Sequence, residues 1–180
     1  IKGYVRQFHK HIATFVFNYL NFDNKTRIPC RTMVRIENEN DDELTLLRSN
    51  PNHFNEEWYD WAWFNWEDLG RQCVVPARIY CFVDLRNIVV SDELLKLKNL
   101  KRTVYACIRS LNNTPTKLFT NSKLLHVCKW ENFAGDYRFV ELDTVSHACY
   151  VLPNINLLDD DNFDEWIILQ NRYKWGEYFF

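Results

Sequence analysis

Two aspartates stand inside otherwise apolar stretches: Asp60 within Trp58-Tyr59-Asp60-Trp61, and Asp84 at the end of Tyr80-Cys81-Phe82-Val83-Asp84. A carboxylate in such surroundings must be paired, hydrogen-bonded or chemically employed. Together with Asp143 or Glu141, they could form the set that holds two divalent cations for phosphodiester cleavage, the chemistry of a metal-dependent nuclease. The competing reading makes Asp84, just before Arg86-Asn87, a turn-forming residue. Such nucleases are built on an α/β sheet with long helices between strands, and the hydrophobic pattern lacks that alternation. Gly-rich phosphate loops, nucleophile elbows and paired zinc-binding histidines are also missing from the sequence. The expectation is a chain that is not an enzyme and takes no cofactor or metal.

Binding chemistry is better provided for. The segment Trp58 to Trp66 contains Trp58, Trp61, Trp63 and Trp66, out of 7 tryptophans in all. Read at period two, both of its faces are mostly apolar, which suits a strand covered on both sides better than an amphipathic helix. The segment is therefore expected to be the central strand. Trp61 and Trp63 should be buried, with Ile79 and Cys81 on a neighbouring strand. Trp58 and Tyr59 follow a Pro-Asn turn and the carboxylates Glu56 and Glu57, so accessible rings beside negative charge are expected where strand meets loop. With Trp130 they form a candidate aromatic and acidic patch, Glu57, Trp58, Tyr59 and Trp130, suited to a protein segment or a basic, histone-tail-like peptide. The alternative is nucleic-acid binding through the one basic cluster, Lys96, Lys98, Lys101 and Arg102, with nearby Trp or Tyr stacking on bases. A solvated loop is the simpler reading of that cluster.

Composition narrows the classes. A chain of 180 residues with 47% hydrophobic content can bury a proper core. Lys+Arg of 22 against Asp+Glu of 24 leaves a net charge of -2, which gives no global pull toward nucleic acid. The 6 cysteines are spread singly, without the close pairs typical of zinc sites, and fit free thiols in a reducing compartment. His9 and His11 are two apart, and His53, His126 and His147 have no partner at ligand spacing. No apolar run approaches bilayer length, so no membrane partner is expected. The start, Ile1-Lys2-Gly3-Tyr4, has neither an initiator Met nor a signal peptide. That suggests a piece of a longer intracellular, nuclear protein.

The elements that must position these residues follow from periodicity. Val5, Phe8, Ile12, Phe15 and Val16 recur at helical spacing, predicting an amphipathic helix over Tyr4 to Leu20. Arg31 to Ile36 alternates, with Val34 and Ile36 inward and Met33 outward, and Leu44 to Leu47 returns as its hairpin partner across an acidic tip, Glu37 to Glu43. Ser49-Asn50-Pro51-Asn52 reads as a turn. From Val74 to Leu85, Ala77, Ile79, Cys81, Val83 and Leu85 should line one face and Arg78, Tyr80, Phe82 and Asp84 the other, with Pro76 at an edge or bulge. Ser91 caps a helical turn to Lys98. Further strands are predicted at Thr103 to Arg109, Leu124 to Trp130, Tyr137 to Leu142, Ala148 to Leu152 and Glu165 to Leu169, with an acidic loop at Leu157 to Asp164 and a helix over Asn171 to Phe180. The fold class is thus mostly β with minor α: a curled antiparallel sheet or small barrel with an N-terminal helix and short peripheral helices. The organisation is residues 1–20 as a helix packed on a single β domain, 21–180.

The series Pro76 to Asp84 (PARIYCFVD), Tyr105 to Ile108, Phe139-Val140-Glu141-Leu142 and Val145 to Pro153 (VSHACYVLP) resembles a bromo-adjacent homology (BAH) domain. With Asn50-Pro51-Asn52, Trp58 to Trp61 and the terminal Trp175, Tyr178 and Phe179, it is also similar to a domain of Plavaka- and KDZ-like DNA-transposon proteins. The resemblance covers about two thirds of the chain, Asn50 to Phe179, and implies a β-rich interaction module of chromatin or genome-associated proteins. Members that read methyl-lysine carry Trp and Tyr on the strand occupied here by Tyr105 to Arg109, where only Tyr105 is aromatic. A cage would have to be rebuilt from Trp58, Tyr59, Trp61 and Trp130, with Asp60 or Glu57 as counter-charge.

Overall fold

The computed structural model describes residues 12, 14–20, 22, 26–37, 44–54, 56–68, 70–112, 116–120, 123–130, 137–153 and 165–169. Twelve strands run through them: β1 (Cys30–Arg31), β2 (Met33–Glu37), β3 (Leu44–His53), β4 (Glu56–Tyr59), β5 (Trp61–Asp68), β6 (Arg71–Asp84), β7 (Val104–Ser110), β8 (Thr116–Thr120), β9 (Lys123–Lys129), β10 (Arg138–Glu141), β11 (Val145–Pro153) and β12 (Glu165–Leu169). Helix α1 covers residues 14–20, α2 is Asp92–Leu97, and a 3-10 turn occupies Leu142–Thr144. The main sheet has the order β10-β7-β6-β5-β11-β12-β9-β8 with β1 added on β6, and a second sheet is β2-β3-β4. The protein is mostly β, a curled antiparallel half-barrel. Curling is visible in the backbone. At the end of β7, Leu111 bridges to Trp130 and the Asn112 N–H donates to the Lys129 carbonyl, although β7 and β9 lie far apart in the sheet order.

The tryptophan segment is not one strand. It breaks at Asp60, so that β4 pairs with β3 in the small sheet while β5 pairs with β6 and β11 in the main one. The Arg31 to Ile36 strand breaks likewise at Thr32, giving β1 to the main sheet and β2 to the small one. Ser49, buried on β3, ties the crossing points together. Its N–H donates to the Thr32 carbonyl and its hydroxyl to the Tyr80 carbonyl. The turn expected at Ser49 to Asn52 is therefore strand, and the chain reverses at Phe54, whose φ is 53°. Thr116–Thr120, not anticipated, pairs with β9, and β11 begins at Val145 rather than Ala148.

A bulge resets the faces of β6. Ile79 opposes Ile108 and Cys81 opposes Cys107, leaving Tyr80 as the extra residue. An inserted residue inverts the period-two parity beyond it. Phe82 consequently joins Ala77 and Ile79 on one face, and Val83 and Leu85 join Tyr80 on the other, correcting the alternation expected from sequence. The first face packs Ala62, Phe64, Ala77, Ile79, Phe82, Ala106 and Ile108 under Leu47, with Val34 and Ile36 from β2 closing it. Met33 points outward, 51% exposed, as alternation predicted. The second face is covered by Ile12, Val16 and Leu20, spaced four apart along the N-terminal helix. Further along, Trp61, Leu111, Cys128, Cys149 and Ile168 make a third cluster with Trp63, Trp130 and Trp166.

Pro76 is buried inside the main sheet, opposite Trp63. Its carbonyl accepts from the Leu111 N–H, just where β7 has ended at Ser110, so its missing donor falls beyond the ladder. Ser91 caps α2 as predicted, its hydroxyl accepting from the Leu94 N–H. Gly70, at φ 73°, supplies the left-handed residue of the β5–β6 turn. The acidic tip from 38 to 43, the acidic loop from 157 to 164 and the helix expected over 171–180 lie outside the described residues.

Trp61 is buried at 8% exposure, whereas Trp63 is only half-buried. Ile79 and Cys81 lie on the neighbouring strand β6, as expected, but Ile79 is on the opposite face from Trp61, which stands opposite Arg78. Removing a large buried ring costs about 3 to 5 kcal/mol. Phe64→Ala and Trp61→Ala should each lower the unfolding free energy by that amount in denaturant titrations, and Trp63→Ala by less. An unfolding midpoint unmoved by Phe64→Ala would refute the core assignment.

Candidate functional site

Asp60 determines how the aromatic segment is presented. One carboxylate oxygen accepts from the Arg48 N–H at 2.7 Å, and the other from the Trp58 indole at 2.8 Å. The Asp60 N–H donates to the Arg48 carbonyl and its own carbonyl accepts from Ile79, both at 3.0 Å. This fills the polar groups of a residue that sequence reading required to be paired. Alternation along β4 then sends neighbouring rings opposite ways. Trp58 points out, 44% exposed, with the Arg48 guanidinium 5.7 Å from its ring centre. Tyr59 points in. It is 7% exposed and packs against Tyr80 at 5.2 Å, so it is a core residue and not the accessible anchor expected.

The candidate patch therefore divides. Trp130 belongs to the third cluster, stacked on Trp61 at 5.4 Å and edge-on to Trp166 at 5.3 Å. Glu57 lies on β4, and its side chain falls outside the described residues. Of the four patch residues, Trp58 alone is seen as exposed surface. A cage built from Trp58, Tyr59, Trp61 and Trp130 is not assembled, because Tyr59 and Trp61 are core and Trp58 points away from both.

The structure brings together a constellation that sequence reasoning missed. Trp61, Arg78 and Arg109 are cross-strand neighbours on β5, β6 and β7, and so share one sheet face. The Arg78 guanidinium lies 5.0 Å from the Tyr59 ring centre and 5.7 Å from that of Tyr80. Arg109 lies over Trp130 at 4.3 Å. Both arginines are half-buried, between the cluster under the N-terminal helix and the tryptophan cluster. Burial raises the Tyr80 phenol above its ordinary value of 10.0, and the positive charges of Arg78 and Arg109 counter that rise. The signal in the sequence was an arginine inside each of two largely apolar strands, Arg78 within β6 and Arg109 near the end of β7.

Of the carboxylates proposed as a metal set, Asp84 and Glu141 are held by cations. Asp84 is buried, with a side chain 4% exposed; it accepts from Arg31 Nε at 2.8 Å, and from Arg86 Nε at 2.9 Å and Nη2 at 2.7 Å. Hydrogen bonds from Arg86, with those of Arg31, hold its carboxyl well below the ordinary 3.8 against the opposing effect of burial. Glu141 pairs with Lys101 at 2.9 Å. Among the described residues, no three His, Cys, Asp or Glu gather as metal ligands. The basic cluster is partly committed too. Lys101 answers Glu141, while Arg102 pairs with Asp92 at 2.7 Å and donates to the Ile88 and Val90 carbonyls. Lys96 is exposed on α2 and Lys98 half-buried at its end. Cys30, Cys81, Cys107, Cys128 and Cys149 are free thiols, and burial pushes Cys128 up to about 11 and Cys107 and Cys149 well above 9.0. No helix among the described residues is long and apolar enough to cross a membrane.

No family model matches the chain, and neither a curated protein nor a solved structure matches it.

The Asp84 carboxylate should be visible in pH-dependent stability. A folded pKa depressed below the unfolded one stabilises the protein above the ordinary 3.8, and that contribution is lost as pH falls through it toward the folded value. Asp84→Asn should cost about 1 to 3 kcal/mol near neutrality, the range for charge-assisted hydrogen bonds. In denaturant unfolding from about pH 7 to about pH 3, the gap between wild type and variant should stay constant down to about pH 4 and then begin to narrow. A gap that stays constant down to about pH 3 would contradict the ion-pair role.

Proposed function

We propose that this chain is a non-catalytic, BAH-like interaction module that binds a protein or peptide segment, in the setting of a chromatin- or transposon-associated protein. The observation that carries this reading is Trp58. A large ring held 44% exposed, its indole fixed to Asp60 and one side covered by Arg48, is pre-ordered for contact. Aromatic anchors of this kind dominate protein interfaces because little entropy remains to be lost when they bind. In the Pro76 to Asp84 segment, Ala77, Ile79 and Phe82 are core and Asp84 is the arginine-clamped carboxylate. Of the carboxylates that a nuclease would need, Asp60 accepts from the Arg48 backbone N–H, Asp84 is paired with Arg31 and Arg86, and Glu141 with Lys101. An intracellular, nuclear location goes with this reading.

A binding survey of the domain against histone-tail peptides, duplex DNA and single-stranded nucleic acid tests it. Trp58→Ala should weaken the peptide interaction by about 2 kcal/mol or more while lowering stability by about 1 kcal/mol at most. Binding of nucleic acid alone, lost on Lys96→Ala and Lys98→Ala and indifferent to Trp58, would replace this reading with a nucleic-acid module.

A further inference from the structure

We infer that Cys81 and Cys107 form a redox latch: hydrogen peroxide closes the two thiols into a cross-strand disulfide that fixes the β6 bulge and, with it, the seat of the small sheet. The latch is independent of what the module binds.

Strand register makes the pair. Cys81 on β6 and Cys107 on β7 are direct cross-strand partners, the first pair beyond the bulge at Tyr80. Directly opposed residues of antiparallel strands have Cα atoms about 4.5 to 5.5 Å apart, inside the window of about 4.4 to 6.8 Å that a disulfide spans. The sulfurs already meet, the Cys107 thiol being hydrogen-bonded to Cys81. Both lie on the face under the N-terminal helix, where Cys107 is fully buried and Cys81 only partly so. Cys81 is thus the sulfur that a small oxidant meets, and Cys107 stands behind it. Cys30 is exposed and opposes Val83, one diagonal step from Cys81. Diagonal neighbours are about 7 to 8 Å apart, too far for a disulfide without backbone movement. Cys128 and Cys149 sit in the tryptophan cluster, opposite Trp166 and Trp61.

One equivalent of hydrogen peroxide suffices. The Cys81 sulfur attacks a peroxide oxygen; the S–O bond forms as the O–O bond breaks, and the Cys81 proton leaves in the water released. The Cys107 sulfur then attacks the sulfenic acid on Cys81; the S–S bond forms, the S–O bond breaks, and the Cys107 proton leaves in a second water. The two thiols give up two electrons and the peroxide takes them. Burial holds the Cys107 thiol well above 9.0, so it is protonated and reacts only with a sulfur placed against it.

Position gives the disulfide its effect. The two residues before Cys81 hold the small sheet, the Ile79 N–H donating to the Asp60 carbonyl and the Tyr80 carbonyl accepting from the Ser49 hydroxyl. Tying Cys81 to β7 stiffens β6 where those bonds are made. In a reducing compartment the latch stays open, and disulfides that form there are transient and redox-sensing.

The test is mass spectrometry of the whole chain after treatment with hydrogen peroxide, alkylation in denaturant and digestion without reduction. A linked Cys81–Cys107 peptide should appear, and should vanish on dithiothreitol. The oxidised protein should melt about 5 °C or more above the reduced one, the effect of closing a long loop. That rise should be absent in Cys81→Ser and present in Cys30→Ser. Hydrogen exchange at the Ile79 amide should slow several-fold on oxidation of the wild type and not of Cys81→Ser. Cys81 recovered alkylated after peroxide, or linked to Cys30 or to a second chain instead, overturns the proposal. So does a linked form that melts no higher than the reduced one or leaves exchange at Ile79 unchanged.

Discussion

A single carboxylate holds the two sheets in register. Asp60 accepts from the Arg48 backbone and from the Trp58 indole, while its own backbone joins Arg48 on one side and Ile79 on the other. Four bonds at one residue let an aromatic segment leave the small sheet and enter the main one without stranding polar groups. The break at Asp60 is what lets Trp58 face solvent, Tyr59 the core under the N-terminal helix, and Trp61 the tryptophan cluster. An uninterrupted strand could offer only two faces. The matching break at Thr32, joined to β3 through Ser49, shows the same solution used on the other side of the small sheet.

The bulge at Tyr80 is the second constraint. It turns Phe82 onto the face of Ala77 and Ile79, where Leu47 from the small sheet closes the core, and leaves Tyr80 beside Arg78. Bulges add local twist and bend a strand. On β6, at 14 residues, this happens inside a sheet that curls until the ends of β7 and β9 meet at Leu111 and Trp130. Curl, core and arginine pair are in this sense one feature. Trp61, Trp63, Trp130 and Trp166 gather in one cluster, with Arg109 over Trp130 and Arg78 over Tyr59.

Much of this was legible in the residues, and the misses have physical reasons. Strand patterning found β7 and β12 to within a residue and β2 without the break at Thr32, and helical spacing found Ile12 and Val16. Long-range pairings defeated the rest. Ser49 to Asn52 has turn composition, yet pairing with β4 and the bonds of Ser49 to the Thr32 and Tyr80 carbonyls hold it extended. The interval of three between Ile79 and Phe82, both fully buried, was the one local sign of the bulge. At the site, Asp60 was correctly singled out as a carboxylate that needed partners. Tyr59 was misplaced because accessibility depends on which side of the Asp60 break a ring falls. Arg78 and Arg109 went unnoticed because their significance is their adjacency, and residues 31 positions apart in the chain meet only through strand register.

The central claim is that Asp60 sets the presentation of Trp58 by holding β3 and β4 against the main sheet. Hydrogen exchange of the Arg48 amide and the Trp58 indole N–H, compared between wild type and Asp60→Ala, tests it most directly. The account expects both groups to lose protection together in the variant while the amides of β7 keep theirs. Protection unchanged at Arg48 and at the Trp58 indole would contradict it.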